Sequence, residues 1–273
     1  MRFINNFNDE KNILEHFRRV DTSECGVPEG VRDVFLKIYD DNNWNHWIDT
    51  SDRSSPPPDF YCDDFKLMME VMRIDDIGYC VEKKGKIKYV NHENAEENKI
   101  KHAMKKSGAL DSLPPNTNIY IDAQLPEIPT KDYRNYGRYK INFKRIVDEH
   151  KKSISMYRKN HPGFKLIFFI FDESEEYFEA FNEKIANEEV YIGKSVLCKR
   201  RHIPHLDRAL VNPLINSDID YLAWYTPYKF VLGPDGNRLD PLPQVLFFEL
   251  SSILEEIPQL IDYDEKLMVS SNV

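Results

Sequence analysis

The chain has 273 residues, 41% of them hydrophobic and 12% aromatic, which is enough apolar material for a sizeable core and excludes a disordered chain. Its formal net charge is −9, so contact with nucleic acid would need a local basic face, because the field of the whole molecule opposes it. Only 10 glycines occur, with no Gly-x-Gly-x-x-Gly or Walker-type run and no Gly-x-Ser-x-Gly, which argues against a nucleotide-dependent enzyme and against a serine-hydrolase elbow.

Residues 9–20 are expected to form a first helix: Ile13, Leu14 and Phe17 share a face, and Asn8 or Asp9 can cap the start. Residues 27–38 are expected to form a second, with Pro28 in its first turn and Val31, Val34, Phe35 and Ile38 spaced for burial. The Asp40-Asp41-Asn42-Asn43 cluster ends it, and Trp44 and Trp47 follow as core or lid packing, or as a ligand face. Residues 50–58 are a polar, proline-rich loop that leads in extended form into a β-hairpin. Residues 60–62 are its first strand, Asp63-Asp64 the turn and residues 65–74 the return strand. A second hairpin is expected from residues 78–81 and 86–90, around Lys83-Lys84-Gly85. Residues 93–106 read as a largely exposed charged helix, anchored by Ile100, Ala103 and Met104 and ended by Gly108.

Residues 118–125 read as a strand and 126–137 as a loop. The strongest helical pattern covers residues 139–160, where Tyr139, Phe143, Ile146, Val147, Ile154 and Tyr157 recur at threes and fours; Pro162-Gly163 closes it. Residues 165–172 hold the unbroken apolar run Leu166-Ile167-Phe168-Phe169-Ile170-Phe171, the pattern of a strand buried on both faces at the centre of a helix-covered sheet. Asp172-Glu173-Ser174-Glu175-Glu176 then reads as the start of a helix over residues 175–186. Further on, residues 190–192 and 220–225 are strand-like, 232–237 a hairpin turn, 241–248 a strand or short helix, 252–261 an amphipathic helix interrupted by Pro258, and the last residues a tail. There is no internal repeat and no low-complexity linker. The expected fold is therefore α/β or α+β, one domain over residues 1–273 with a mixed central sheet flanked by helices, a core over roughly 9–172 and a C-terminal elaboration over 173–273.

The four cysteines, Cys25, Cys62, Cys80 and Cys198, form no Cys-x-x-Cys pair and suit reduced, mostly buried thiols. Residues 1–6 lack the apolar core of a signal peptide, and the run at 166–171 is too short to span a bilayer. The expectation is a cytoplasmic protein without a membrane partner, its oligomeric state open.

The first hairpin carries the most specific chemistry. Its two arms hold Asp59 and Glu70, and a strand pair can bring two carboxylates together to hold a divalent metal through hard oxygen ligands. Strand alternation would put Lys66, Met68, Glu70 and Met72 on one face. The plain structural alternative is a turn or cap for Asp59 and a surface ion pair for Glu70.

Pro58-Asp59 followed by Glu70-Val71-Met72 resembles the Pro-Asp…(Asp/Glu)-x-Lys signature of restriction-endonuclease-like nucleases, over roughly residues 9–172. The resemblance implies a restriction-endonuclease-like core and Mg²⁺-dependent hydrolysis of DNA phosphodiester bonds, with Asp59 and Glu70 as catalytic metal ligands. The family's lysine falls at Met72, which cannot polarise a water. Lys66, on the expected face of Glu70, is the candidate catalytic substitute; Arg73 is adjacent but points away unless a bulge intervenes. Glu15 is a candidate extra metal ligand by position. Asp122-Ala123-Gln124 is a second acid-x-polar segment that could line the same cleft.

For DNA contact the basic positions of residues 139–160 are the candidates, namely Lys140, Lys144, Arg145, Lys151 and Lys152, with Arg158 and Lys159; the plain alternative is a solvated helix face. Cys198, His202 and His205 have a spacing that could suit zinc but lack a fourth ligand nearby, and a turn with surface histidines explains them as well. Two functional expectations result. One is a metal-dependent nuclease, or a protein derived from one, acting on DNA. The other is a catalytically inactive binding protein of phage or mobile-element type that engages a protein partner, favoured by Met72, the acidic charge and the aromatics Tyr221, Trp224, Tyr225, Tyr228 and Phe230.

Overall fold

The computed structural model describes residues 10–51, 58–76, 78–83, 86–91, 102–108, 135–187, 198–215, 217–229, 231–232, 238–239, 242–252 and 259–270. The expected strands at 118–125 and 190–192, Asp122 and Gln124, and most of the expected helices at 93–106 and 252–261 lie outside these residues; of the former helix, 102–106 is described and helical, ended by Gly108 at φ 72.

Helix α1 (Glu10–Phe17) buries Ile13, Leu14 and Phe17, and is followed by the short strand β1 (Cys25–Gly26). Helix α2 (Arg32–Tyr39) starts later than its apolar spacing suggests, because Pro28 leads into a separate 3-10 turn at Glu29–Val31. Asp40 then caps more than it terminates: its carboxylate accepts the Asn42 and Asn43 N–H groups and opens helix α3 (Asp41–Trp44). Trp44 stacks on Trp47 at 5.5 Å and tilts against Phe60 at 5.4 Å, so the pair packs over the first hairpin.

Strands β2 (Ile48–Asp49), β3 (Phe60–Cys62) and β4 (Leu67–Ile74) form that hairpin and its neighbour, with Phe60 opposite Met69 and Cys62 opposite Leu67. The turn is longer than expected: Lys66 takes a left-handed φ of 52, so the return strand begins at Leu67. Strands β5 (Gly78–Lys83) and β6 (Lys86–Asn91) pair as the second hairpin. Helices α4 (Tyr136–Lys151) and α5 (Ile154–Asn160) replace the single helix expected over 139–160. Asn135 caps α4 by accepting the Arg138 N–H, and the break follows where the Lys152 and Ser153 amides turn back to Glu149 and His150.

Strand β7 (Lys165–Asp172) lies at the expected place. The chain after it departs from the expected helix at 175–186: strand β8 (Tyr177–Ala180) is followed only by the short helix α6 (Glu183–Asn187). The reason is that the glutamates there are buried and bonded, not solvated as in a helix's first turn. Strand β9 (Cys198–Arg201), helix α7 (Arg208–Ile215) and strands β10 (Tyr221–Tyr225), β11 (Val231–Leu232), β12 (Arg238–Leu239), β13 (Val245–Glu249) and β14 (Met268–Ser270) complete the elements. The expected tail is thus partly ordered: Met268–Ser270 pairs antiparallel with β8.

The protein is α+β, with a mixed seven-stranded sheet in the order β1-β13-β10-β7-β4-β3-β2. Strands β4, β7 and β10 run parallel, whereas β13 opposes β10 and β3 opposes β4. On one face α4, α5 and α7 bring Tyr139, Phe143, Val147, Tyr157 and Leu210 onto Met68, Met72, Phe168 and Trp224. On the other, α1 and α2 bring Phe17, Phe35 and Ile38 onto Met69, Phe169, Tyr225 and Phe247. β7 is central and buried on both faces, as its unbroken apolar run implies.

Candidate functional site

Pairing of β3 with β4 brings Asp59 and Glu70 together. The Asp59 N–H donates to Glu70 Oε2 at 3.3 Å, and Asp59 Oδ2 accepts the Val71 N–H at 2.8 Å. Glu70 lies on the α4 face of β4, between Met68 and Met72, so it is 5% exposed. His150, in the last turn of α4, meets Glu70 Oε1 through Nδ1 at 2.6 Å. Burial and then the neighbouring Glu70 charge push the Asp59 carboxyl up to about 7. Burial is the largest influence on His150 and works against its charge, but the bond to Glu70 and the charges of Glu70 and Asp59 together outweigh it and leave the ring above its ordinary value. Tyr157, on α5, stands beside Glu70, and its hydroxyl is pushed up by burial and then by that carboxylate.

Two carboxylates with hard oxygen donors suit Mg²⁺, which commonly takes one or two carboxylates and completes its shell with water. Asp59's raised value comes from burial first and from the Glu70 charge second, and a cation between the two carboxylates would relieve the second of these. Among the described residues no group of three or more His, Cys, Asp or Glu side chains is arranged to hold a metal.

The other expected residues are elsewhere. Lys66 stands in the turn, its ammonium 5.0 Å from the centre of the Phe164 ring, and the left-handed turn takes it out of the alternation it was expected to share with Glu70. Met72 is 1% exposed in the core under α4, so the position of the family's lysine is not open to a substrate. Arg73 points to the opposite side and makes a two-pronged contact with Glu173, both bonds at 2.9 Å. Glu15 acts on Arg18, whereas Glu10, at the start of α1, is the helix carboxylate whose charge acts on Asp59.

Of the basic residues on α4, Lys140 pairs with Glu265 at 2.9 Å, Lys144 with Asp148, and Arg145 with Glu149 at 3.0 Å. Lys151 donates to the Pro213 carbonyl at 2.8 Å, and Lys152 is exposed at the helix end. The suggested zinc set does not assemble: His202 is fully buried against Asp207, while Cys198 is half-buried on β9.

Glu10, His150 and Tyr157 were the residues not anticipated. His150 had a legible signal: it continues the Phe143, Val147, Ile154 spacing, so a histidine occupies an apolar-stripe position that faces the sheet. Compared with family models, with curated proteins and with solved structures, the chain has no match.

Proposed function

We propose that the chain hydrolyses DNA phosphodiester bonds with the help of a divalent cation, Mg²⁺, held by Asp59 and Glu70 on a restriction-endonuclease-like core. The observation that supports this reading is the carboxylate pair itself, joined across adjacent strands, with Asp59 pushed up to about 7. When bound, such an ion neutralises phosphate charge and lowers the pKa of a water. The chain's own groups orient the pair: His150 and the Asp59 N–H hold the two oxygens of Glu70, and the Val71 N–H holds Asp59. In place of the family's lysine, His150 is the titratable donor beside Glu70. Lys144 and Arg145 can exchange their carboxylate partners on α4 for DNA phosphates, and Lys152 adds a third contact.

A second reading keeps the fold for binding a protein partner without catalysis. The observation that favours it is the pairing of a buried Met72 with a Lys66 turned to Phe164. Supercoiled-plasmid cleavage in Mg²⁺ or Mn²⁺ separates the two. The first reading expects cleavage by the wild type, its loss in Asp59→Asn and Glu70→Gln, and a reduction of about 10- to 100-fold in His150→Gln. A wild type with no cleavage in either metal sinks the first reading.

A further inference from the structure

Past the end of α5 a row of aromatic side chains runs up to the Asp59–Glu70 pair. Tyr61 stands opposite Met68 across the hairpin, so it shares the α4 face with Glu70. Asp59 and Tyr61 are two positions apart, about 6–7 Å in extended backbone. The α5 side gives a similar interval. The His161 N–H donates to the carbonyl of Tyr157 at 2.9 Å, one helical turn from the residue that stands beside Glu70. The two paths meet where the His161 ring lies 4.4 Å from the Tyr61 ring, tilted by 42°. Phe164 continues the row at 5.1 Å from His161, and the Lys66 ammonium ends it beside Phe164.

The row is open to solvent where the sheet around it is closed. Phe60 and Cys62, on either side of Tyr61, are buried, whereas Tyr61 is half-buried because α5 stops at Asn160 and leaves its ring uncovered. His161, just past the helix end, is half-buried too. Burial holds its ring below the ordinary value, against the pull of Asp63, so at pH 7 it is a neutral, flat partner for Tyr61. Lys66 and Lys159 are exposed at the two sides of the row. Of the two carboxylates in the hairpin turn, Asp64 is taken up by His46 at 2.7 Å, and Asp63 is the opposing charge.

The carboxylate pair, by contrast, is recessed. Glu70 is 5% exposed, with His150 and Tyr157 against it. A duplex is a stiff rod that keeps each phosphate on its surface and each base inside its stack. A single strand can turn one phosphate inward and lay the adjoining base on an aromatic ring, the usual way in which single strands are held. We propose that Tyr61, backed by His161, stacks the base next to the phosphate bound at Asp59 and Glu70, so that the chain takes single-stranded DNA and not intact duplex. This rests on the phosphodiester reading of the pair. Lys66 and Lys159 then meet the flanking phosphates. Negative supercoiling favours local opening of a duplex, so a supercoiled plasmid presents such a strand.

Fluorescence anisotropy on the full chain tests this at physiological ionic strength, in EDTA so that nothing is cut. The probes are labelled oligo(dT), an abasic strand of the same length and a blunt duplex of the same length. Oligo(dT) is expected to bind about tenfold or more tightly than either of the others. Tyr61→Ala is expected to weaken oligo(dT) about 5- to 100-fold, the loss of one stacked base, and to leave the abasic strand unchanged. Tyr61→Phe keeps the ring and is expected to bind as the wild type does. The proposal is overturned if the wild type binds the abasic strand or the duplex as tightly as oligo(dT), or if Tyr61→Ala binds oligo(dT) unchanged. The wild-type comparisons hold even if Tyr61→Ala does not fold. Asp59→Asn is expected to lose plasmid cleavage and keep the preference for oligo(dT), which separates the two readings. A wild type that prefers oligo(dT) but cuts nothing keeps the aromatic subsite and removes the nuclease; one that cuts plasmid without that preference does the reverse.

Discussion

At Asp59, burial and the Glu70 charge act in the same direction and raise the carboxyl from an ordinary 3.8 to about 7. Between those values the folded chain keeps a proton that the unfolded chain has released. Stability therefore falls as pH rises from about 4 to 7, and the loss is complete above 7. Asp76 is pushed to about 7 by burial in the same way, so the contribution of Asp59 shows in a difference. Denaturant unfolding at pH 5 and pH 8 is expected to show the wild type losing more stability across that interval than Asp59→Asn; equal losses would remove the electrostatic account of the pair. Met72 gives a second test at this scale. Met72 is buried under α4 in the apolar cluster, so Met72→Lys would take a charge out of water there and is expected to cost about 3–5 kcal/mol. Met72→Leu should cost less than about 1.5 kcal/mol by the same measurement. A well-tolerated lysine at 72 would mean that the position opens to solvent.

At the scale of elements, β7 organises the sheet through side chains buried on both faces. Phe168→Ala, beneath α4 and fully buried, is expected to destabilise by about 3–5 kcal/mol in a denaturant titration; a cost below about 1 kcal/mol would contradict its place in the core. This strand was legible because its run of apolar residues is unbroken, and the hairpin that joins Asp59 to Glu70 was legible because its strands are neighbours in sequence. The turn between them was less so, since nothing local marks Lys66 for a left-handed φ of 52. The segment after β7 misled for a clearer reason. Its acidic residues look like the first turn of a helix, but the Glu175 N–H donates to Asp76, the Tyr177 hydroxyl does likewise, and Ser270 donates to Glu175. Those partners come from distant parts of the chain, so local pattern could not reveal a buried polar network. His150 was hidden by the same separation: its partner Glu70 is 80 positions away.

For the whole molecule, the central sheet draws on residues on both sides of 172. β10 pairs with β7 and β13 pairs with β10, so a chain cut after residue 172 leaves an apolar edge of β7 unpaired. That fragment is expected to aggregate and to lack a cooperative thermal transition in circular dichroism; a sharp transition would show that residues 10–172 form a self-sufficient unit. Among the described residues no helix is long and apolar enough to cross a membrane. With a formal net charge of −9, the proposed DNA contact would have to rest on the local face of α4, so it should weaken steeply with salt. The carboxylate pair remains the centre of the functional reading, and titration calorimetry of Mg²⁺ and Mn²⁺ into the full chain tests it most directly. The expected result is one site in the wild type and none in Asp59→Ala/Glu70→Ala. Its affinity should rise about tenfold per pH unit up to about pH 7, as Asp59 gives up its proton, and level off above. A wild type that takes up no ion, or a double variant that binds as the wild type does, would contradict it.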